Sequence, residues 1–177
     1  MNLEALRSIG YGLYIVCSKK GDKYNGQIAN TLFQITSDPP TVAVSINKNN
    51  LTHEFIQDSG IFTATTLCQD TPLSLIGTFG FKSGRDTDKF EGVNYRMGST
   101  GTPVVTDYGV ACMEMKVNQQ VDVGTHTLFI GEVVDADVIS NEICMTYAHY
   151  HEVKRGTTPK AAPTYIASNE QNKGGNS

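Results

Sequence analysis

The sequence predicts an all-β dominated fold, a closed or partly closed barrel with two short helices. β-Branched and aromatic residues fall in short runs, turn residues such as the 17 glycines separate those runs, and stretches with helical period are few. The alternating strand and helix order of a doubly wound parallel sheet is absent from the sequence. We expect the sheet to close, because closure removes the exposed edges that invite aggregation.

Six or seven strands are predicted from the short apolar and β-branched runs. They cover residues 11–18, 27–36, 41–46, 61–67, 109–117, 127–138 and 143–147. The turn at residues 20–22 is expected to join the first two strands into a hairpin. The sequence Asp38-Pro39-Pro40 is expected to end the second strand, because proline cannot donate to a ladder.

Two helices are predicted between the strands, over residues 52–60 and 71–80, where apolar residues recur at helical spacing. Gly60 suits the left-handed position at the end of the first helix, and Pro72 suits the first helical position of the second.

The composition changes at about residue 153. Beyond it no periodicity remains, and the last seven residues are polar and rich in glycine. We therefore predict one domain over residues 1–153 and an extended, partly disordered tail over residues 154–177. The tail is either a solvated terminus or an arm that docks on a partner subunit.

Charge and hydropathy argue against two classes of partner. The net charge is −4 and lysine and arginine form no cluster, so we expect no nucleic-acid partner. No apolar run approaches the ~18 residues that a spanning helix needs, and the first residues lack the apolar core of an export signal. We expect a cytoplasmic protein without a membrane partner.

The cysteines and histidines do not predict a metal site. No pair of the four cysteines has the CxxC spacing of structural zinc sites. We expect Cys17, Cys112 and Cys144 to be core residues in a reducing compartment and Cys68 to be exposed. The sequence also lacks GxGxxG, GxxxxGK[ST], HExxH and GxSxG, which excludes the standard nucleotide and hydrolase motifs.

Three segments carry residues suited to a ligand. In residues 25–31, small residues leave the backbone uncovered and amide side chains offer hydrogen bonds, which suits a flat heteroaromatic ring. Residues 45–53 pass through a polar turn with one cation into a helix N-terminus, which suits a phosphate; the alternative is a capped helix after an Asx-rich turn. Residues 79–86 mix aromatics, glycines and cations and suit a flap over an anion.

These segments together resemble a known family. The motifs are YGLYIV, NGQIANT, INKNNLTH, LIGTFGF, GTHTLFIGEV and a closing TYAHYH with KRGTTPK. In this order they are similar to the flavin reductase-like family with the FMN-binding split barrel, including small ferric reductases, flavoredoxin-type proteins and the flavin domain of high-molecular-weight rubredoxin. The resemblance covers about residues 5–160 and implies a Greek-key split β-barrel.

The family resemblance implies an FMN-containing homodimer. Such a protein takes hydride from NADH or NADPH and passes electrons to free flavin, a ferric chelate or a redox partner such as rubredoxin. The alternative is a non-catalytic FMN electron carrier that a partner protein reduces. No CxxC follows the closing motif, so rubredoxin would be a separate protein.

The same resemblance implies which residues contact the cofactor. They are Asn25, Gln27, Ile28, Ala29, Asn30, Thr31, Ser45, Ile46, Asn47, Lys48, Thr52, His53, Phe79, Gly80, Phe81, Lys82 and Ser83. His126 is implied to stand by the reactive face as the catalytic residue; the alternative is a structural histidine held by a backbone bond.

Overall fold

The computed structural model describes residues 1–166. Its strands are β1 (Tyr14–Lys20), β2 (Lys23–Ala29), β3 (Leu32–Ser37), β4 (Pro40–Asn47), β5 (Ile61–Leu67), β6 (Tyr95–Met97), β7 (Pro103–Val105), β8 (Gly109–Val123) and β9 (His126–Val138). Its helices are α1 (Leu51–Ser59), α2 (Leu73–Phe81), α3 (Tyr147–Glu152) and a 3-10 helix, Leu3–Ser8. The polar end of the predicted disordered tail, residues 167–177, lies outside the described residues.

Seven strands form one antiparallel sheet that curls on itself. Their order is β2-β1-β5-β8-β9-β4-β3. The edge strands β2 and β3 are joined by only Asn30 and Thr31, so the two edges of the sheet come together. The neighbours β5, β8, β9 and β4 form a Greek key. Strands β5, β8 and β9 are adjacent in sequence order within this sheet, and β4, which precedes them in the chain, pairs with the last of them, β9. The predicted all-β dominated fold is confirmed.

One apolar cluster fills the inside of this barrel. All seven strands and α1 contribute side chains to it, among them Val16, Val44, Phe62, Met115 and Phe129. Strand β1 is buried on both faces, since Val16 points into this cluster while Ile15 and Cys17 belong to a second one. That second cluster packs α2 and α3 against the outside of β1 and supports the site described below.

Several predicted elements have different bounds in the structure. The strand predicted over residues 27–36 is divided into β2 and β3, because the backbone turns at Asn30 and Thr31, where the carbonyl of Thr31 accepts from Ser45 N at 3.2 Å. The strand predicted over residues 143–147 is wrong: Cys144 and Thr146 make only isolated bridges, and α3 follows. The short pair β6 and β7 was not predicted, since three-residue strands carry too few residues to show a period.

Both predicted helices are present. Gly60 ends α1 in the left-handed conformation with φ of 66°, as predicted. Helix α2 begins at Leu73, so Pro72 is its N-cap residue and not, as predicted, the first helical residue. The hydroxyl of Thr71 donates to the carbonyl of Cys68 at 2.7 Å and so does not cap α2.

The predicted exposure of two cysteines is reversed. Cys68 is only 4% exposed, because it lies where β5 ends between two chain segments, whereas Cys144 is exposed on the isolated bridge before α3. Cys17 and Cys112 are buried as expected. Among residues 1–166, no helix combines the length and apolar character that crossing a membrane requires.

Candidate functional site

A cleft of about 400 Å³ opens beside the barrel, between β2, α2 and the chain that follows α3. Such a volume is in the range of small-molecule sites. Strands β2 and β4 form one wall, the start of α1 and the end of α2 form two others, and residues 157–163 form the fourth with α3. Four separate parts of the chain therefore meet at one place.

Gly26 of β2 packs against Phe79 of α2 and does not itself line the cleft. A Cβ atom at this position would lie 2.9 Å from Cys17 Sγ and 2.9 Å from Phe79 Cε1, which is closer than packed atoms allow. Gly26 therefore lets α2 approach β2 closely. Ile28 and Ala29 form the apolar part of the cleft wall on β2.

Amide side chains line the junction of β2 and α1. Asn25 Nδ2 donates to Thr52 Oγ1 at 2.7 Å, and Asn50 Nδ2 donates to Gln27 Oε1 at 3.1 Å. Asn50 is the N-cap residue of α1 and makes no side-chain capping bond. The first turn of α1 therefore keeps backbone N–H groups and the positive end of its dipole at the cleft.

Lys89 supplies a buried cation to the cleft. Its ammonium donates to the carbonyl of Gly26 at 2.9 Å and to that of Phe79 at 3.2 Å. Burial lowers the pKa of Lys89 to about 8, although the neighbouring Cys17 acts in the opposite direction. An ammonium has three donors, so one remains for a ligand in the cleft.

The charge of the cleft is opposite to that of the chain. Its lining residues include Lys82, Lys89 and Lys160 but no aspartate or glutamate within the part of the chain that the structure describes. The whole chain carries a net charge of −4. The cleft therefore carries local positive charge, and the aromatic side chains of Phe79, Phe81 and Tyr147 add flat apolar surface to it.

The segment after α3 lies across one side of the cleft. The carbonyl of Ala161 accepts from Asn47 Nδ2 at 3.3 Å and from His126 Nε2 at 3.2 Å. Asn30 Nδ2 donates to Thr164 Oγ1 at 2.8 Å. Part of the predicted tail is thus packed on the domain, while the division of the chain at residue 153 stays a prediction.

The structure brings 13 of the 17 predicted cofactor-binding residues to the cleft. They are Asn25, Gln27, Ile28, Ala29, Asn30, Ser45, Asn47, Thr52, Phe79, Gly80, Phe81, Lys82 and Ser83. The binding roles of these residues stay predictions.

The structure places the other predicted site residues outside the lining of this cleft. Thr31 bonds the carbonyl of Ser45, and Ile46 is fully buried in the barrel core. Lys48 Nζ lies 2.7 Å from Asp122 Oδ2, so its charge is already paired.

The two predicted site histidines also have partners elsewhere. His53 Nε2 hydrogen bonds with Thr127 Oγ1 at 2.8 Å under the ring of Phe129, and burial and then Lys48 lower its pKa. His126 accepts at Nδ1 from Thr125 Oγ1 at 2.8 Å and donates from Nε2 to Ala161, at the edge of the cleft.

Sequence reasoning missed Lys89, Tyr147, Tyr150 and the segment 157–163. Lys89 lies in an irregular loop, where no hydrophobic period reveals that a lysine is buried. Tyr150, whose hydroxyl donates to the carbonyl of Thr157 at 2.9 Å, was assigned to no helix. The recurring aromatic and histidine residues in TYAHYH were the one available signal for α3.

Comparisons with known proteins agree with this architecture. Residues 6–157 match the family of the flavin reductase like domain. The chain is 58% identical over 173 residues to a high molecular weight rubredoxin of Moorella thermoacetica, covering 98% of this chain and 76% of that protein. It is 49% identical over 168 residues to a ferric-chelate reductase (NAD(P)H) of Archaeoglobus fulgidus, covering 95% of this chain and 99% of that protein.

A solved structure shares the fold. The NADH:FAD oxidoreductase of Streptomyces globisporus matches with a TM-score of 0.75 at 22% identity, covering 82% of this chain and 85% of that chain. The motifs, the barrel and the family match lead to the same conclusion: this chain belongs to the flavin reductase-like family and is an oxidoreductase.

Proposed function

We propose that this protein binds FMN in the cleft, accepts hydride from NADH or NADPH, and passes electrons to a ferric chelate, free flavin or a separate redox protein such as rubredoxin. The observation that carries the proposal is the charge of the cleft. Three lysines and no carboxylate line it within the described residues, beside an amide-rich wall and aromatic rings. FMN joins an anionic phosphate to a flat heteroaromatic ring, so its site needs positive charge for the phosphate and a flat, hydrogen-bonding surface for the ring.

The residues present fit the two parts of FMN. The start of α1, Ser83 and Lys89 would hold the phosphate, because a helix N-terminus and a cation both favour a dianion. Ile28 and Ala29 of β2 would lie against the ring, and the amides of β2 would bond its polar edge. The bound flavin supplies the redox chemistry, and the protein orients it and limits access to it.

The relatives support the choice of donor and acceptor. The Archaeoglobus protein is named a ferric-chelate reductase (NAD(P)H) and is matched over nearly its whole length. The Moorella protein is named a high molecular weight rubredoxin and extends beyond the part that this chain matches. The first supports direct reduction of ferric chelates, and the second supports rubredoxin as a partner.

Anaerobic spectroscopy tests the proposal. The purified protein is loaded with FMN, NADH or NADPH is added, and the flavin absorbance is followed. We expect rapid bleaching by one nucleotide, then recovery of the absorbance on addition of a ferric chelate, free flavin or rubredoxin. A flavin that neither nucleotide reduces, but that a reduced partner protein does, would make the protein an electron carrier instead.

We further propose that the protein is a homodimer. Apolar side chains stay exposed on the outer strands of the barrel, with Phe33 at 53% and Val123 at 54% exposure. Exposed apolar side chains on a sheet surface suit contact with a second copy of the chain. Sedimentation with flavin quantitation tests this, and a monomer that retains one FMN per chain would contradict it.

Replacing His126 by alanine is expected to slow flavin reduction without loss of FMN. His126 donates to the carbonyl of Ala161 and thereby positions the segment that forms one wall of the cleft, which we expect a nicotinamide to contact. We expect reduction by NAD(P)H to be about ten-fold slower, equivalent to ~1.4 kcal/mol, with a near-native Tm.

The matched control is Thr125→Ala, which removes the hydroxyl that bonds His126 Nδ1 but keeps the ring and its bond to Ala161. This variant should reduce its flavin at a near-native rate. Loss of FMN or a much lower Tm in His126→Ala, with normal turnover of the remaining holoprotein, would show a structural histidine.

A further inference from the structure

Two of the cysteines face each other across a pair of neighbouring backbone segments. Cys68, just after β5, and Cys144, before α3, form an isolated antiparallel bridge. The flanking hydrogen bonds run from Gln69 N to Ile143 O at 2.9 Å and from Met145 N to Leu67 O at 2.8 Å.

This hydrogen-bond pattern defines the geometry of the pair. The bonds join the residues on either side of the cysteines and not the cysteines themselves, so this is a non-hydrogen-bonded pair, the closer type, with a Cα separation of ~4.5 Å. Opposed residues in such a pair project their Cβ atoms to the same side of the sheet. Disulfides form at Cα separations of ~4.4–6.8 Å, so the backbone already has a suitable arrangement.

The two thiols differ in access, which suits a stepwise oxidation. Cys144 is exposed and can be attacked from solvent, whereas Cys68 is only 4% exposed and is shielded from it. The other two cysteines are buried and have no cysteine opposite them: Cys17 faces Gly26 and Cys112 faces Asp137 and Thr65. Burial also raises the pKa of Cys17 to about 12, which suppresses its thiolate.

We propose that Cys68 and Cys144 are an oxidisable dithiol that closes to an intramolecular disulfide when the protein meets a peroxide. The Cys144 thiolate attacks the O–O bond of hydrogen peroxide, which forms a sulfenic acid and releases hydroxide that is protonated to water. The sulfur of Cys68 then attacks the sulfenic sulfur, forms the S–S bond and displaces a second water. Two thiols are oxidised and one peroxide is reduced, so two electrons balance.

The bond would connect the two helices that flank the cleft. Cys144 lies three residues before α3, and Cys68 lies five residues before α2. Tyr147 of α3 and Phe79 of α2 both line the cleft. A disulfide between the segments that precede α2 and α3 would restrain the two cleft walls formed by these helices in the oxidised protein.

Peptide mapping of the oxidised protein tests the proposal. The full-length chain is treated with one equivalent of hydrogen peroxide, free thiols are alkylated after denaturation, and digestion and mass spectrometry follow without reductant. We expect a linked peptide pair that contains Cys68 and Cys144, reversed by dithiothreitol, with Cys17 and Cys112 alkylated. The oxidised chain should also have a higher Tm, which reductant returns to its starting value.

Two variants make the experiment decisive. Cys144→Ser changes an exposed side chain, so it should fold normally and lose the linked peptide pair completely. Cys112→Ser is the matched control and should keep it. A Cys144–Cys144 link between two chains, or sulfinic acid on Cys144 with Cys68 still free, would overturn the proposal.

Discussion

Replacing Lys89 by methionine is expected to weaken FMN binding ten- to hundred-fold while riboflavin binding changes much less. Lys89 is the buried cation of the cleft, and riboflavin lacks the phosphate that this cation would bind. A charge-assisted contact contributes about 1.5–3 kcal/mol, which corresponds to this range of affinity. Equilibrium titration of the apoprotein with each flavin, followed by fluorescence quenching, measures both constants.

The matched control for this prediction is Lys48→Ala. The family resemblance implies that Lys48 contacts the cofactor, and Lys48 is the cation of the turn that the sequence predicts to suit a phosphate. Its ammonium, however, is paired with Asp122 and lies outside the cleft lining. From the geometry we expect a small effect of this variant. A larger loss of FMN affinity in Lys48→Ala than in Lys89→Met would show that Lys48 binds the phosphate. Equal losses of FMN and riboflavin affinity in Lys89→Met would show that Lys89 has a structural role only.

The pH dependence of FMN binding provides a second check on Lys89. Burial lowers the pKa of this group to about 8 in the free protein, so its positive charge is present below that pH and is lost above it. The preference for FMN over riboflavin should therefore decline as the pH rises above about 8. In Lys89→Met this decline should be absent.

Replacing Glu114 by glutamine is expected to lower the free energy of unfolding by about 2–3 kcal/mol. Glu114 is only 2% exposed, and its carboxylate accepts from Ser99 N at 2.8 Å, from Thr100 N at 2.9 Å and from Thr100 Oγ1 at 2.6 Å. These bonds hold the loop between β6 and β7. A neutral amide removes the charge that strengthens them and turns a donor toward a donor. For a chain of this length, we expect a Tm about 5–10 °C lower.

The stability that Glu114 contributes should depend on pH in a defined direction. Burial alone would raise the pKa of Glu114, but the hydrogen bonds from Thr100 and Ser99 outweigh it and hold the pKa below its usual value. A carboxylate with a lowered folded pKa contributes stability above its unfolded pKa of ~4.3 and loses it as the pH falls through the folded value. The difference between wild type and Glu114→Gln should therefore shrink in acid.

The control for Glu114 is Glu142→Gln, at an exposed position. Chemical denaturation of both variants at neutral pH compares a buried, bonded carboxylate with a solvated one. We expect Glu142→Gln to differ from the wild type by less than about 0.5 kcal/mol. Equal effects of the two substitutions would show that the loop does not depend on the Glu114 carboxylate.

The sequence by itself determined the class of the fold, the positions of α1 and α2, and the family. These depend on local information, because alternating apolar residues, turn residues such as Gly60 and motifs such as NGQIANT are each read within a few neighbouring positions. For the same reason, most cofactor-binding predictions fall on the cleft lining, since the three motif segments lie on β2, β4 and α2, whose ends meet there.

Only the tertiary structure decided which lysine lines the cleft and which two cysteines lie opposite each other. Lys48 and Lys89 are the same residue type, and the sequence does not distinguish them. Long-range contacts pair Lys48 with Asp122 and bury Lys89 beside Gly26. Cys68 and Cys144 are 76 positions apart in sequence and become neighbours only because the chain after β9 returns to the end of β5. Burial, pKa and cross-strand register arise from such distant contacts, and no local sequence pattern encodes them.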